Sequence, residues 1–172
     1  MKSFENRVYL TNEEIEKCCF DLKEIIKKKY PYYSNHIDFM YLYGCRIGEL
    51  FDYRISFDGM FSKVLIAPQK SNNVRVLEMI GFEIPQMIEN INITQDNFYI
   101  NKRNLQRIIE KENPYRILKC GEKKIGAHLF RHNWIRRKIS EGLQITNIDN
   151  LLGYTKQTVA DTYAVSRIYY EY

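Results

Sequence analysis

Two arginines, a histidine and a tyrosine stand in short segments whose residue types suit the chemistry of a phosphodiester. Arg46 lies in a segment reading GCRIGEL, His128 and Arg131 lie in HLFRH, and Tyr163 lies in DTYAV. An arginine fork donates parallel hydrogen bonds to phosphate oxygens and stays charged. Histidine carries protons near neutral pH, and a tyrosine oxygen can be a covalent nucleophile. This set could therefore hold a phosphodiester, move a proton and attack phosphorus without a metal.

Each of these residues alone is weak support for catalysis. An arginine before a glutamate usually forms a surface ion pair, and a tyrosine near a C-terminus usually packs in a core. The joint spacing favours chemistry, because His128 and Arg131 are three apart on one predicted helix face and Tyr154 precedes Tyr163 by nine residues. Carboxylates that could hold Mg²⁺ do not cluster in the sequence, which disfavours a metal-dependent nuclease. We expect no metal and no cofactor.

Length and composition predict one globular domain spanning 1–172. Hydrophobic residues make up 45% and charged residues 27% of the 172 residues, and the net charge is +5. That charge is mild and only weakly favours a nucleic-acid partner. The basic run Arg136, Arg137 and Lys138 is a candidate DNA contact, although a solvated helix face would have the same composition.

The cysteines and the apolar runs indicate the cellular compartment that we expect for this protein. Cys18, Cys19, Cys45 and Cys120 form no CxxC pair, so neither a zinc site nor a disulfide framework fits their spacing. We expect reduced thiols packed as small apolar groups in a cytoplasmic protein. The apolar runs are far shorter than the ~20 residues that span a bilayer, so no membrane partner is expected.

The hydrophobic and turn patterns predict a mainly α chain with a small antiparallel β-sheet, an α+β class. Thr11 and Glu14 can form a capping box at the start of the first helix, and Arg46 and Glu49 would share a face of the second. Predicted helices run from the Thr11 cap to Lys29 and over 35–50, 83–90, 101–111, 128–141, 146–152 and 157–165. A predicted hairpin pairs 60–67 with 74–79 and has Lys70 near its tip or at the end of its first strand.

In this order the segments resemble the catalytic domain of the tyrosine recombinases, the phage-integrase family of DNA strand-exchange enzymes. That family carries GxRxxEL, a hairpin lysine, HxLRH, LGH or LGW, and a nucleophilic tyrosine nine residues later. Lys70 fits the hairpin lysine, and Phe130 stands where leucine is usual. Tyr154, in LGY, stands where the family has histidine or tryptophan. The resemblance covers nearly the whole chain.

The resemblance implies a role for each matched residue. Arg46 and Arg131 would hold the scissile phosphate, and Lys70 would protonate the departing 5′ oxygen. His128 would handle the proton of Tyr163, which would attack phosphorus and form a 3′-phosphotyrosine. The strand could then be rejoined without ATP.

The remaining matched residues have supporting roles in this comparison. Tyr154 could donate a hydrogen bond to a phosphate oxygen, as a phenol has one O–H. Glu49 would orient structure, and His132 would support its helix. The implied partner is double-stranded DNA, on which the protein would self-associate as a dimer or tetramer. A bacterial, viral or mobile-element origin fits this activity.

Several alternatives remain open. The family usually has a helical DNA-clamping domain before the catalytic one, for which this sequence has no room, so we expect either a fragment or a minimal recombinase like the short invertase-type members. The chain could also be a DNA-binding relative impaired at Tyr154 or a type IB topoisomerase-like relaxing enzyme. The least specific alternative is a helical interaction protein.

Overall fold

A computed structural model describes residues 6–69, 73–154, 159–160 and 166–172. Helices carry most of the regular structure, and the strands are short and antiparallel. The predicted class, mainly α with small antiparallel β-structure, is confirmed. Within the described ranges the α-helices are α1 (Asn12–Lys29), α2 (Ser34–Tyr43), α3 (Ile84–Ile93), α4 (Lys102–Glu112), α5 (His128–Ser140) and α6 (Ile145–Leu151).

The strands of the described part form two sheets rather than the one expected. One sheet has the order β2-β3-β4 and contains the predicted hairpin plus an additional strand. The other has the order β1-β7-β5-β6, so the C-terminal residues, which show no clear period in sequence, form an interior strand. The strands are β1 (Arg7–Tyr9), β2 (Ile55–Asp58), β3 (Lys63–Ile66), β4 (Arg75–Glu78), β5 (Leu118–Cys120), β6 (Lys123–Lys124) and β7 (Ile168–Glu171).

The start of α1 confirms the predicted capping box. The Glu14 N–H donates to Thr11 Oγ1 at 3.2 Å, and the Thr11 N–H donates to Glu14 Oε2 at 3.1 Å. These bonds satisfy N–H groups that have no partner within the helix. The helix then buries a stripe that includes Ile15, Leu22 and Ile26 against the rest of the core.

The helix predicted over 35–50 is wrong at its C-terminal end. α2 stops because Gly44 takes the left-handed conformation, with φ +61°, and its N–H bonds to Met40 O at 2.9 Å. A Cβ at position 44 would lie 2.8 Å from Trp134 Cβ, so glycine lets α5 pack closely here. Arg46 and Glu49 therefore do not share a helix face: Arg46 has extended backbone, and Glu49 lies in a 3₁₀ helix, Ile47–Leu50.

The core lies where α1, α2 and α5 pack on one another. Its buried side chains include Phe39 and Phe130, while a second, smaller cluster surrounds Trp134 under α6. Because α5 contributes to both clusters, the HLFRH segment at its start is held firmly in place. No described helix is long and apolar enough to cross a membrane.

Three of the four cysteines pack as the sequence predicted. Cys18, Cys19 and Cys45 are buried, whereas Cys120 is partly exposed. Burial raises the pKa of Cys18 to about 11 and that of Cys45 to about 12. Their thiols are therefore protonated and unreactive at neutral pH.

Candidate active site

The Arg131 side chain is fully buried at the centre of the candidate site. Its Nε donates to Tyr154 Oη at 2.9 Å, and its Nη1 donates to Gly44 O at 3.0 Å. Its Nη2 is buried and has no hydrogen-bond partner among the described residues. Burial lowers the pKa of the guanidinium, yet arginine stays protonated. The site thus holds a buried positive charge whose hydrogen-bond partners in the described ranges are neutral.

The C-terminal end of α2 faces this charge. Gly44 O accepts from Arg131, and Tyr43 O accepts from Nη2 of Arg75 at 3.3 Å. The last carbonyls of a helix carry partial negative charge and favour cations. The C-terminal end of α2 therefore both positions and stabilises two buried arginines.

A buried salt bridge fixes the segment that carries Arg46. Arg75 Nη1 lies 2.7 Å from Glu49 Oε2, and both side chains are almost completely buried. The same Glu49 oxygen accepts the Arg46 N–H at 3.1 Å, while Arg75 Nε donates to Leu151 O at 2.9 Å. Glu49 therefore connects the Arg46 segment to β4 and to the end of α6, a supporting position like the one expected for it. Arg75 was not predicted from the sequence, because no nearby residue indicates that it pairs with the buried Glu49.

Both predicted phosphate-binding arginines lie against the Tyr154 ring. The Cζ atom of Arg46 is 5.5 Å from the ring centroid, and the Cζ atom of Arg131 is 5.0 Å from it. These are cation–π distances. Gly153 makes the turn that places Tyr154, with φ +72° and with Arg75 Cγ only 3.2 Å from where a Cβ would stand.

Arg46 and His128 open onto one cleft of about 520 Å³. Its rim is strongly cationic, with Arg54, Lys102 and Lys124 beside Arg46, and among the described lining residues Glu110 supplies the one carboxylate. Lys124 lies 3.7 Å from Glu110, but both side chains are half exposed, so this pair is weak. Sequence reasoning missed Arg54, Lys102 and Lys124, because they come from separate segments that meet only in the fold.

The two histidines of HLFRH occupy different environments. His128 is exposed at the first position of α5 and lines the cleft. His132, one turn later, is buried, and its pKa falls to about 3 because of burial and then of the Arg136 charge. His132 is therefore neutral at physiological pH and packs inside the fold.

The predicted basic DNA contact, the run 136–138, is largely engaged by the protein itself. Arg136 donates to Ser166 O. Arg137 donates to Tyr41 O at 3.0 Å and lies over its ring, and Lys138 pairs with a glutamate one turn on. A direct contact between this run and DNA stays a prediction.

The fold brings four of the predicted site residues together. Arg131 is hydrogen-bonded to Tyr154, Arg46 lies against the same ring, and His128 shares the cleft with Arg46. The other two, Lys70 and Tyr163, lie outside the described residues. The helix predicted over 157–165 also lies mostly outside them.

Known folds supply the comparison that sequence alone does not. No protein-family model matches this chain, and no curated protein sequence matches it. Among solved structures it is similar to the XerA recombinase, with a TM-score of 0.58 and 18% identity over 92% of this chain and 60% of that one. It is also similar to the XerH site-specific recombinase bound to its palindromic difH substrate in a post-cleavage complex, with a TM-score of 0.60 and 16% identity over 92% of this chain and 49% of that one. The chain spans about half to three fifths of these recombinases, and its fold is that of a tyrosine recombinase catalytic domain.

Proposed function

We propose that this chain cleaves and rejoins DNA strands as a site-specific recombinase, through a covalent 3′-phosphotyrosine intermediate. The observation that carries the proposal is the buried guanidinium of Arg131, whose hydrogen-bond partners among the described residues are neutral. A buried charge that has no hydrogen-bonded counter-charge is costly. A phosphate that accepts a hydrogen bond from Nη2 would supply both an acceptor for this atom and a directly bound negative charge.

The neighbouring groups suit the same phosphate. Arg46, which also lies against the Tyr154 ring, would bind a second non-bridging oxygen, and Tyr154 would donate its O–H to the phosphate. The cationic rim of the cleft would follow the DNA backbone on either side. Phosphate contacts of this kind do not require a particular base sequence, so base contacts elsewhere would define the target site.

The reaction uses the two residues that lie outside the described ranges. The Tyr163 oxygen attacks the phosphorus and forms a new P–O bond, while its proton passes to His128. The bond from phosphorus to the 5′ oxygen breaks, and Lys70 protonates that oxygen as it leaves. Reversal by a 5′ hydroxyl from a partner strand restores the phosphodiester, so the exchange needs no ATP and no metal.

Strand exchange between two DNA sites needs more than one active site. We infer that the protein self-associates on double-stranded DNA as a dimer or tetramer. Integration of a mobile element is one reaction that such an assembly would carry out.

One observation favours a second candidate, a DNA-binding relative with impaired catalysis. Tyr154 accepts the hydrogen bond from Arg131 Nε, so one donor of the proposed phosphate clamp is already used. In this candidate the protein would still bind the DNA backbone, but strand cleavage would be slow or absent.

A suicide-substrate experiment separates the two candidates. Duplexes from the DNA flanking the gene, each nicked so that a short fragment is lost on cleavage, are incubated with the protein in EDTA. The proposal predicts a covalent protein–DNA species on a denaturing gel, which Tyr163→Phe removes while DNA affinity stays nearly unchanged. Binding without any covalent species would support the impaired relative instead. Relaxation of a supercoiled plasmid without sequence preference would favour a topoisomerase-like activity.

A further inference from the structure

A second cleft of about 730 Å³ adjoins the cationic one. The two share Gly48, Gln69 and Lys102 in their walls, so they form one continuous surface. A molecule bound at Arg46 in the first cleft therefore lies next to the second. Of the predicted catalytic residues that the structure describes, none lines this second cleft.

The chemistry of the second cleft differs from that of the first. Its lining residues include the aromatic Phe51, Tyr53 and Phe98 and the polar Gln95 and Asn97. The second cleft is also less cationic than the first. Lys102, in the shared wall, is the one cation among its described lining residues, and Asp52 and Asp96 supply two carboxylates. Such a surface disfavours a phosphate and suits a flat polar ring with hydrogen-bonding edges.

The Tyr53 ring is presented by a strained turn. Asp52 and Tyr53 both have positive φ, at +74° and +54°, a region that non-glycine residues rarely enter. The Tyr53 N–H donates to Gln95 Oε1, and the nearby Asp96 carboxylate raises the pKa of the Tyr53 hydroxyl. The side chain nevertheless remains 58% exposed. Backbone strain of this kind persists only where the surrounding structure holds it in place, and it is common at functional sites.

Phe98 lies in the same cleft and is 88% exposed. Exposure of an apolar phenylalanine ring to water does not stabilise the fold, but the ring can stack on the ring of a bound molecule. Single-strand-binding proteins combine a cationic groove for the backbone with exposed aromatic rings for the bases. The two adjoining clefts have this combination.

We propose that the second cleft binds a nucleobase that has left the DNA stack next to the phosphate held by Arg46 and Arg131. This inference rests on the proposed function, because it needs DNA in the first cleft. The base stacks on Tyr53 or Phe98, and the carboxylates of the cleft accept hydrogen bonds from its edge. Carboxylates accept hydrogen bonds from exocyclic amines, so adenine, cytosine or guanine fits better than thymine.

Fluorescence anisotropy with two labelled 30-base-pair duplexes tests this proposal. One duplex is fully paired, and the other carries a single unpaired adenine at its centre, which removes the cost of unstacking. The wild-type protein is expected to bind the second duplex about tenfold more tightly, the size of one aromatic–base stack. Phe98→Ala and Tyr53→Asn should lose this preference while affinity for the paired duplex stays nearly constant. Asparagine tolerates the left-handed backbone at position 53.

Phe82→Ala is the matched control, because Phe82 is 96% exposed and lines neither cleft. It should keep the full preference. Equal wild-type affinity for the two duplexes would overturn the nucleobase site and leave the proposed function standing. Failure to bind either duplex would overturn both. If Phe98→Ala changed self-association in sedimentation but not the preference, the aromatic cleft would be a protein-docking surface and the proposal would be wrong.

Discussion

Arg131 and Tyr154 are 23 residues apart in the sequence, yet Arg131 Nε donates a 2.9 Å hydrogen bond to Tyr154 Oη. The contact joins α5 to the segment that follows α6. In the motif resemblance, this phenol stands where the tyrosine recombinases have an imidazole or an indole. A hydroxyl that accepts one hydrogen bond can still donate its own proton to a phosphate oxygen. The pair can therefore orient the clamp and contribute to it.

Removing the Tyr154 hydroxyl should slow cleavage by about 10²-fold, the cost of losing one donor to a developing charge. Tyr154→Phe also deprives Arg131 Nε of its acceptor, which costs about 1–3 kcal/mol of stability. Tyr154→His should cleave at the parent rate or faster, because it restores the residue usual in the resembling family. Single-turnover cleavage measures both variants, with Tyr32→Phe as an exposed control. Cleavage at the parent rate by Tyr154→Phe would disprove the donor role.

Breaking the buried Glu49–Arg75 pair should destabilise the fold strongly. The 2.7 Å contact is almost fully shielded from water, so Glu49→Gln leaves a buried cation without its counter-charge and should cost about 3–5 kcal/mol. Urea unfolding measures the loss. The control is Lys17→Gln, which breaks the exposed Lys17–Asp21 pair and should cost less than about 1 kcal/mol. Equal effects of the two substitutions would contradict the structural role given to Glu49.

Acid should destabilise the protein through His132. Burial lowers its pKa in the fold to about 3, well below the usual 6.5. Between these values the unfolded chain binds a proton that the fold does not, so stability is complete above about pH 6.5. It falls as pH decreases, by about 1.4 kcal/mol per unit for each such group. His36, with a pKa of about 4, acts in the same direction.

Urea unfolding between pH 7.5 and 5 tests this dependence. His132→Gln and His36→Gln should each flatten the pH slope relative to wild type. The slope is the readout, so a general loss of stability in either variant does not obscure the result. An unchanged slope in His132→Gln would show that another group titrates.

DNA affinity should depend steeply on salt and on the cleft cations. A protein with about six phosphate contacts loses roughly a thousandfold in affinity between 50 and 200 mM salt. Lys102→Gln and Lys124→Gln should each weaken binding and reduce the slope of log affinity against log salt by about 1. The control Lys28→Gln changes an exposed lysine of α1 outside the cleft and should leave the slope unchanged. Salt-independent binding would argue against a nucleic-acid partner.

Local signals explain which parts of the fold could be predicted from sequence. The capping box at Thr11 and Glu14 and the apolar stripe of α1 act within a few residues, and both are confirmed. The end of α2 was predicted wrongly, because glycine within an apolar period is ambiguous until the close approach of Trp134 is known. β7 was missed because its partners, β1 and β5, lie far away in the sequence.

In the candidate site, too, some residues could be predicted from local sequence and others come together only in the fold. Arg46, His128 and Arg131 stand in short segments whose order and spacing could be recognised, and the fold brings them to one place. Arg75 was not predicted, because its function as the partner of Glu49 exists only after β4 packs on the end of α2. The cleft cations were likewise not predicted, since nothing in the sequence joins Arg54 to Lys124.

The most direct test of the account is the identity of the residue that becomes covalently linked to DNA. After trapping on a suicide duplex, nuclease treatment and trypsin digestion, mass spectrometry locates the tyrosine that carries nucleotide. Peptide 157–167, QTVADTYAVSR, contains Tyr163 as its single tyrosine, whereas Tyr154 falls in peptide 139–156. The account predicts nucleotide mass on 157–167, attached through a 3′-phosphate. Nucleotide on 139–156 or on the C-terminal tyrosines, or no adduct on any peptide, would contradict it.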